Sequence, residues 1–222
     1  MYFLGGSLAP LGLTVSFLAR PTTEVCAALI SWREKLAQTI QRTEPAPLPR
    51  CAEALDPLEA PWTVELLVDC GSWTAYLNNS IAGGDPTASA PHLSTLLDCD
   101  CIVAMQVPRY GPGHATIGLS LLGPRGAKPL RNIRTIRADM TDGRWSWRAE
   151  GEVQPFEKPA RYDARLVRDR LDRPLLLEYL AALGIRADDP SFYGDGIAVR
   201  QIVAHVRRRE TVAESKARLG LR

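Results

Sequence analysis

The sequence contains little lysine and histidine, and it lacks the motifs that mark several large enzyme classes. Four lysines and three histidines occur among its 222 residues. Neither G-x-x-x-x-G-K-[ST] nor G-x-G-x-x-G is present, so both common glycine-rich nucleotide-binding fingerprints are missing. The G-x-S-x-G turn that exposes a nucleophilic serine in α/β-hydrolases is missing as well. Because these motifs are missing, the sequence gives no support to any of these enzyme classes.

Long apolar runs are missing too. No apolar run approaches the ~18 residues that a membrane-spanning helix needs. The apolar stretch at residues 1–20 has no lysine or arginine ahead of its apolar part and is interrupted by glycine and proline, which is atypical of a secretory signal. The five cysteines are an odd number, and an oxidised secreted protein would leave one of them unpaired. We expect a cytoplasmic protein with free, buried thiols and no membrane partner.

The overall composition is that of an ordered globular protein. Hydrophobic residues make up 45% of the chain, charged residues make up 23%, and the formal net charge is +2. A disordered chain would be less apolar and more highly charged. Arginine outnumbers lysine by 23 to 4, a bias that fits a GC-rich bacterial genome.

The pattern of elements predicts an α+β fold with a single main domain. Hairpins are predicted at residues 63–78 and 131–153, where Asp142-Gly143 is the strongest turn signal. Because hairpins outnumber β-α-β units, we expect a mainly antiparallel or mixed sheet packed by several helices. Helices are predicted at residues 22–42, 86–98, 159–171, 174–183 and 211–219, and further strands at 12–19, 101–107 and 115–122.

Prolines suggest a division of the chain. Five prolines fall within residues 44–61, which is typical of a semi-rigid connector. We therefore expect an N-terminal strand and helix, residues 1–43, that pack on the main α+β domain, residues 62–222. Residues 44–61 would join the two.

Charge is distributed unevenly along the chain. Residues 44–101 hold nine acidic residues and one basic residue, whereas residues 102–222 hold 22 basic and 14 acidic residues. This layout favours a protein that binds a charged partner, although folding could interleave the two segments.

Two short patterns resemble metal-ligand spacings. His92, Cys99, Cys101 and His114 form H-x6-C-x-C-x12-H, and thiolate and imidazole groups are zinc ligands. A D-x-D pair, Asp98 and Asp100, could hold a divalent cation. Both cysteines lie beside an apolar strand and the aspartates lie at a predicted helix end. We therefore interpret them as buried thiols and turn residues, and we expect no metal or cofactor.

A non-catalytic binding protein is the leading functional hypothesis. The acidic stretch would face a basic partner protein, and an immunity or antitoxin-like inhibitor is one concrete form of such a binding protein. The candidate contacts are Asp56, Glu59, Glu65, Asp69, Asp85 and Asp98. Binding would then weaken with salt and with charge reversal at Glu65 and Asp69.

An enzyme is the first alternative. Residues 78–85 form a polar loop that offers Asn78, Asn79 and Asp85 beside flexible backbone, and such loops often carry function. If this loop met the glycine-rich loop at residues 108–114 in one pocket, Asp85 and His114 would be general acid and base.

Nucleic-acid binding is the second alternative. Seven basic residues fall within residues 125–148, with Trp145 and Trp147 interleaved, and Arg131, Arg134 and Arg137 are the candidate contacts. However, the two tryptophans would share one face of a strand and pack on the core. The chain's pI of about 8.3 is also below the ~9 typical of dedicated nucleic-acid binders.

Overall fold

A ten-stranded antiparallel sheet is the framework of the protein. The computed structural model describes residues 3–4, 8–81, 86–111, 113–203 and 205–221. The strands are β1 (Thr14–Leu18), β2 (Thr39–Arg42), β3 (Ala46–Pro47), β4 (Leu58–Ala60), β5 (Val64–Cys70), β6 (Trp73–Asn78), β7 (Cys101–Tyr110), β8 (His114–Ala127), β9 (Asn132–Thr141), β10 (Arg144–Gly151), β11 (Asp195–Ile202) and β12 (Arg208–Glu210). Their order in the large sheet is β10-β9-β8-β7-β1-β6-β5-β11-β2, with β3 also paired to β11.

Every strand pairing in the large sheet is antiparallel. Strands β4 and β12 form a separate two-stranded antiparallel sheet. The predicted hairpins β5–β6 and β9–β10 are both present. Asp142 and Gly143, with φ of 50° and 76°, supply the two positive φ angles that a type I′ turn needs. The fold is therefore α+β with an antiparallel sheet.

In the part of the chain that the structure describes, four α-helices accompany the sheet: α1 (Thr22–Lys35), α2 (Pro86–Leu97), α3 (Arg173–Ala182) and α4 (Val212–Leu219). The side chain of Asp172 caps α3 by accepting a hydrogen bond from the Leu175 amide. Thr211 and Glu214 cap α4 reciprocally, and Gly220 ends this helix in the left-handed conformation. No helix in the described ranges is long and apolar enough to cross a membrane.

The sheet separates two apolar cores. On one face, Leu18, Leu67 and Tyr76 pack with residues of α1 and α2. On the other face, Val15 and Phe17 belong to a larger core that includes residues of α3. Alternate residues of a strand point to opposite faces, so a central strand such as β1 contributes to both cores.

Helices α1 and α2 cover only part of their face of the sheet. The apolar core beneath them extends to Met105 on β7 and Leu122 on β8. On β9, residues that point to this side, such as Arg137 and Asp139, are partly exposed, whereas their neighbours Ile136 and Ala138 are fully buried on the opposite face. We call the α2-side surface of β8, β9 and β10 the open face.

Residues 44–61 differ from the expected connector. They form β3, a 3-10 turn at Arg50–Leu55 and β4. Leu55 and Leu58 are fully buried in the larger core. The segment therefore packs over the sheet as part of the main fold. Burying the apolar residues between its prolines is favourable in free energy.

Two predicted helices differ from the structure. Helix α1 ends at Lys35, and the following Ala37 has a φ of 57°, which a helix does not allow. Residues 39–42 form β2 instead of continuing the helix. Residues 159–171 contain only 3-10 turns at Pro159–Asp163 and Val167–Asp169. There Tyr162 donates a hydrogen bond to the buried Glu157 and makes another with Tyr179 of α3, and tertiary contacts such as the second override a weak helix propensity.

Candidate functional site

The open face carries small polar side chains and charged side chains. Registered pairs bring together Gly118 with Arg137, and Arg137 with Arg148, across the three strands. Residues of the same parity on each strand share this face. They are Thr116 and Ser120 on β8, Thr135, Arg137 and Asp139 on β9, and Ser146, Arg148 and Glu150 on β10.

Two pairs of opposite charges lie on the open face, Arg137 with Asp139 and Arg148 with Glu150. Arg137 Nε donates to Asp139 Oδ1 at 2.6 Å, and the Thr116 hydroxyl donates to the same oxygen at 2.8 Å. On β10, Arg148 Nε donates to Glu150 Oε1 at 2.7 Å, and this hydrogen bond raises the pKa of Arg148. Opposite charges alternate, so the face carries no strong field of one sign.

A groove separates the open face from α2. Its volume is about 400 Å³, within the range of ligand-binding clefts. Val103, Met105 and Leu122 line it from the sheet, whereas Pro91 of α2 and Leu130 lie among its other lining residues. Leu130 is 64% exposed. We call this cavity the α2 groove, and Arg137, Arg148 and Glu150 also line it.

The wall that carries Leu130 is fixed by Arg131. Arg131 has a φ of 54° at the turn between β8 and β9. Its guanidinium donates to Asp98 Oδ1 at 2.7 Å, just beyond the end of α2. The loop at residues 128–131 is therefore tied to α2, and the candidate contact Arg131 acts in the structure by positioning the groove wall.

His114 lies in a second recess at the other end of the open face. The imidazole stacks on Tyr110 with ring centroids 5.8 Å apart. Thr116, Asp139 and Ser146 also line this recess. None of residues 78–81 lines it, and Asp85 lies outside the described residues. In the part of the chain that the structure describes, the two loops of the enzyme hypothesis do not share this recess.

Asn78 and Asn79 are buried and hydrogen-bonded within the fold. The side-chain oxygen of Asn79 accepts from the amides of Thr63 and Val64, both at 2.9 Å, and its amide nitrogen donates to the Pro57 carbonyl. Asn78 accepts from the Ser80 amide at 3.2 Å. The Asn79 side chain therefore links the start of β5 to Pro57, the residue before β4, so the polarity at the end of β6 has a structural use.

Glu65 is fully buried and cannot meet a partner protein. Arg33 of α1 donates two hydrogen bonds to its carboxylate, at 2.6 and 3.0 Å, and Tyr76 donates a third at 2.7 Å. Sequence reasoning placed Glu65 on a binding surface because it belongs to the acidic stretch of the chain. The structure corrects this, because α1 covers the side to which Glu65 points. Asp69 is exposed, and its carboxylate accepts a long hydrogen bond from Thr22 at 3.4 Å.

The rest of the acidic stretch is partly neutralised by basic residues from later in the chain. Glu59 is buried beside Arg209, 2.6 Å away. Burial opposes its ionisation, but hydrogen bonds from Thr63, Arg209 and Asn79 outweigh that effect and lower the pKa of Glu59. Asp56 accepts a hydrogen bond from the Val212 amide at the start of α4. Folding therefore interleaves the acidic and basic segments.

The arginines at residues 125–148 do not form an open cationic surface. Arg134 is buried and donates to both oxygens of Glu157, and Arg131 and Arg137 are also paired with carboxylates. Trp147 packs on Tyr162 with ring centroids 5.2 Å apart. Arg131, Arg134, Arg137 and Trp147 are thus engaged within the protein, and Arg144 is the exposed arginine of β10 that makes no ion pair among the described residues.

The cysteines are buried free thiols. Burial raises the pKa of Cys51 to about 11 and that of Cys70 to about 12. Such thiols are poor nucleophiles at neutral pH. Within the described ranges, no group of three or more histidine, cysteine, aspartate or glutamate side chains could hold a metal ion. His92 instead stacks on Trp32, with 4.3 Å between ring centroids.

Sequence reasoning missed the groove itself. Its apolar lining comes from β7, β8 and the loop after β8, and nothing in the sequence says that α2 leaves these residues partly uncovered. One weak signal was available. Leu130 is a large apolar residue in a polar, glycine- and proline-containing segment, residues 123–131, where a turn would hold it at the surface.

No protein-family model, no curated protein and no solved structure matches this chain.

Proposed function

We propose that this protein is a non-catalytic binding protein that holds a partner protein on the α2 groove and the open face. The observation that carries the proposal is an apolar groove that opens onto a surface of paired, opposite charges. An apolar centre with a polar, charged rim is the usual anatomy of a protein interface.

The groove suits an apolar side chain from the partner. Met105 and Leu122 form an apolar floor that solvent reaches only slightly, and the exposed Leu130 stands beside it. A leucine or aromatic side chain inserted here would bury its own surface together with that of Leu130. Such a contact is favourable by roughly 25 cal/mol per Å² of apolar area.

The charged residues around the groove favour a protein over a nucleic acid. A nucleic-acid site needs unpaired cations to displace counterions from phosphates. Of the three cations that line the groove, Arg137 and Arg148 each have a carboxylate within 3 Å, at 2.6 and 2.7 Å respectively, which leaves Lys128 as the one without an ion pair among the described residues. A partner that offers both an acidic and a basic side chain can exchange pairs with this surface without leaving a charge unpaired.

The proposed class includes an immunity or antitoxin-like inhibitor of the bacterial cytoplasm. Such a protein acts by covering its partner and needs no reacting groups of its own. The five free, buried thiols support a reducing compartment. The surface proposed for contact moves from the acidic stretch to the open face, because Glu59 and Glu65 are engaged in internal ion pairs.

A capture experiment with matched baits tests the proposal. Tagged wild-type protein, Leu130→Asp and Leu36→Asp are incubated with nuclease-treated lysate of the source organism, and retained proteins are quantified by mass spectrometry. Leu36 is a matched control because it is 53% exposed and lies at the end of α1, outside the groove. We expect a stoichiometric partner that is retained by wild type and Leu36→Asp and reduced at least ~10-fold by Leu130→Asp.

Two results would contradict the proposal. One is a partner that Leu130→Asp retains as well as wild type does. The other is that wild type retains no protein in stoichiometric amount and instead binds or converts a small molecule, in a way that requires His114. That second result would restore the enzyme alternative.

A further inference from the structure

Strand β10 forms one edge of the large sheet and is paired on one side only. It is eight residues long, Arg144–Gly151, and all of these are partly or fully exposed. In the described part of the chain, no backbone hydrogen bond joins β10 to any segment except β9. The 3-10 turn Val167–Asp169 lies near β10 but makes no backbone hydrogen bond to it. The outer edge is therefore available to another strand.

The turn between β9 and β10 determines which backbone groups point outward. In a hairpin with a two-residue loop, the flanking residues Thr141 and Arg144 form a hydrogen-bonded pair. The alternation then directs the backbone groups of Ser146 and Arg148 towards β9. The N–H and C=O groups of Trp145, Trp147 and Ala149 face away from the sheet. These groups form a regular, unpaired ladder.

We propose that β10 pairs antiparallel with β10 of a second copy of this chain, in the register that places Trp147 opposite Trp147. In this register Trp147 exchanges backbone hydrogen bonds with its counterpart, and Trp145 does so with Ala149 of the second copy. Every residue from Arg144 to Glu150 then faces a residue of the other strand. The two large sheets become one continuous sheet.

Charge complementarity selects this register. Arg144 makes no ion pair among the described residues, and the proposed register sets it directly opposite Glu150 of the second copy, twice per dimer. Shifting the register by two residues one way sets Arg144 opposite Arg148. Shifting it the other way sets Arg148 opposite Arg148. Like charges directly opposite each other destabilise a strand pair, whereas opposite charges stabilise it.

The pairing also joins the two open faces. Even-numbered residues of β10 point to the open face in both copies, because directly opposite residues of an antiparallel pair share a face. A dimer would therefore present two α2 grooves on one side of a single sheet. The pairing does not depend on the proposed partner protein, since it is formed by this chain alone.

A charge swap tests the register. Sedimentation velocity over a concentration series at low salt follows wild type, Arg144→Glu, Glu150→Arg and the double variant Arg144→Glu/Glu150→Arg. We expect reversible dimerisation of the 24.4 kDa chain, at least ~10-fold weaker in each single variant because like charges then face each other. The double variant restores the opposite pairs and should recover wild-type dimerisation. Arg50→Glu is the matched control and should leave dimerisation unchanged, because Arg50 is exposed and begins the 3-10 turn that packs on β5 and β11.

A backbone test complements the charge swap. Ala149→Pro removes an outward N–H but none of the hydrogen bonds to β9, so the monomer should keep its circular dichroism spectrum and lose dimerisation. Any of four results would overturn the proposal: wild type that stays monomeric throughout, dimerisation unaffected by the single charge variants, failure of the double variant to recover, or undiminished dimerisation of a folded Ala149→Pro protein.

Discussion

The two halves of the large sheet differ in how they are covered. Strands β5, β6 and β1 lie between apolar cores on both faces, and α1 closes one of those faces over the buried Arg33–Glu65 pair. Strands β8, β9 and β10 are covered on one face and carry exposed polar side chains on the other. The covered half is buried on both faces, whereas the open half carries the surface that another molecule can reach.

The two edges of the sheet differ in the same way. The edge beside β11 is made of β2, four residues long, and β3, which has two residues and ends in Pro47. Short strands and proline are common protections against unwanted pairing. Strand β10 has eight residues and no proline. Of the two edges, the one on the open half is therefore the one suited to receive another strand.

The largest expected effect lies in the covered half. Glu65→Ala leaves Arg33 buried without its carboxylate, and breaking a buried pair in this way costs about 3–5 kcal/mol. Asp69→Ala, four residues further along β5, removes an exposed carboxylate and should change stability by less than about 0.5 kcal/mol. Urea unfolding followed by circular dichroism measures both. Equal effects of the two substitutions would contradict the assignment of Glu65 to the interior.

A second buried ion pair lies beneath β9, on the face of the open half that is covered. Glu157 binds Arg134 of β9 and accepts a hydrogen bond from Tyr162, so Glu157→Ala should cost about 3 kcal/mol. It should also expose residues 152–171 to proteases, because this pair ties the segment to the sheet. Glu178→Ala is the control, since its ion pair with Lys158 is half-exposed and contributes at most about 1 kcal/mol. The account fails here if both variants resist proteolysis equally.

The third expected effect depends on pH. The pKa of Glu59 is lowered in the folded protein, so its ionised carboxylate stabilises the fold above the unfolded-state pKa of about 4.3. That contribution is lost as the pH falls through the lower folded-state pKa. Glu59→Gln should therefore lower the urea midpoint at neutral pH and approach wild type in acid. A difference that stays constant across this range would show that Glu59 acts only through packing.

The smallest expected effect lies on the open face. Arg137→Ala breaks the pair with Asp139, whose two side chains are 37% and 22% exposed. A partly exposed pair contributes about 0–1 kcal/mol, so the urea midpoint should barely change. Arg33→Ala, the same substitution in the covered half, serves as the contrasting variant and should be far more destabilising. If Arg137→Ala were equally destabilising, the open half would not be the tolerant half of the sheet.

Local sequence patterns predicted much of the fold. The hairpin at Asp142-Gly143 could be predicted because a type I′ turn needs positive φ angles at both positions. The alternation of β10 also indicated that Trp145 and Trp147 share one face. Residues 159–171 could not be predicted in the same way, because Tyr162 makes a hydrogen bond with Tyr179 of α3, a tertiary contact.

The candidate site was harder to predict than the fold. Glu65 and Asp69 look alike in sequence, and only the position of α1 makes one buried and the other exposed. The groove depends on where α2 stops covering the sheet and on the Arg131–Asp98 contact that fixes its wall. Both features depend on contacts between residues far apart in the sequence. The charge pattern of the sequence also does not predict which acidic residues form internal ion pairs.

The most direct test of the account asks which half of the protein a partner covers. Hydrogen–deuterium exchange, measured by mass spectrometry on the protein alone and in complex with the captured partner, locates the contact. We predict slowed exchange in the loop at residues 128–131 and along β9 and β10, with α1 and residues 44–69 unchanged. Slowed exchange confined to α1 or to residues 44–69 would contradict the account and return the acidic stretch as the binding surface.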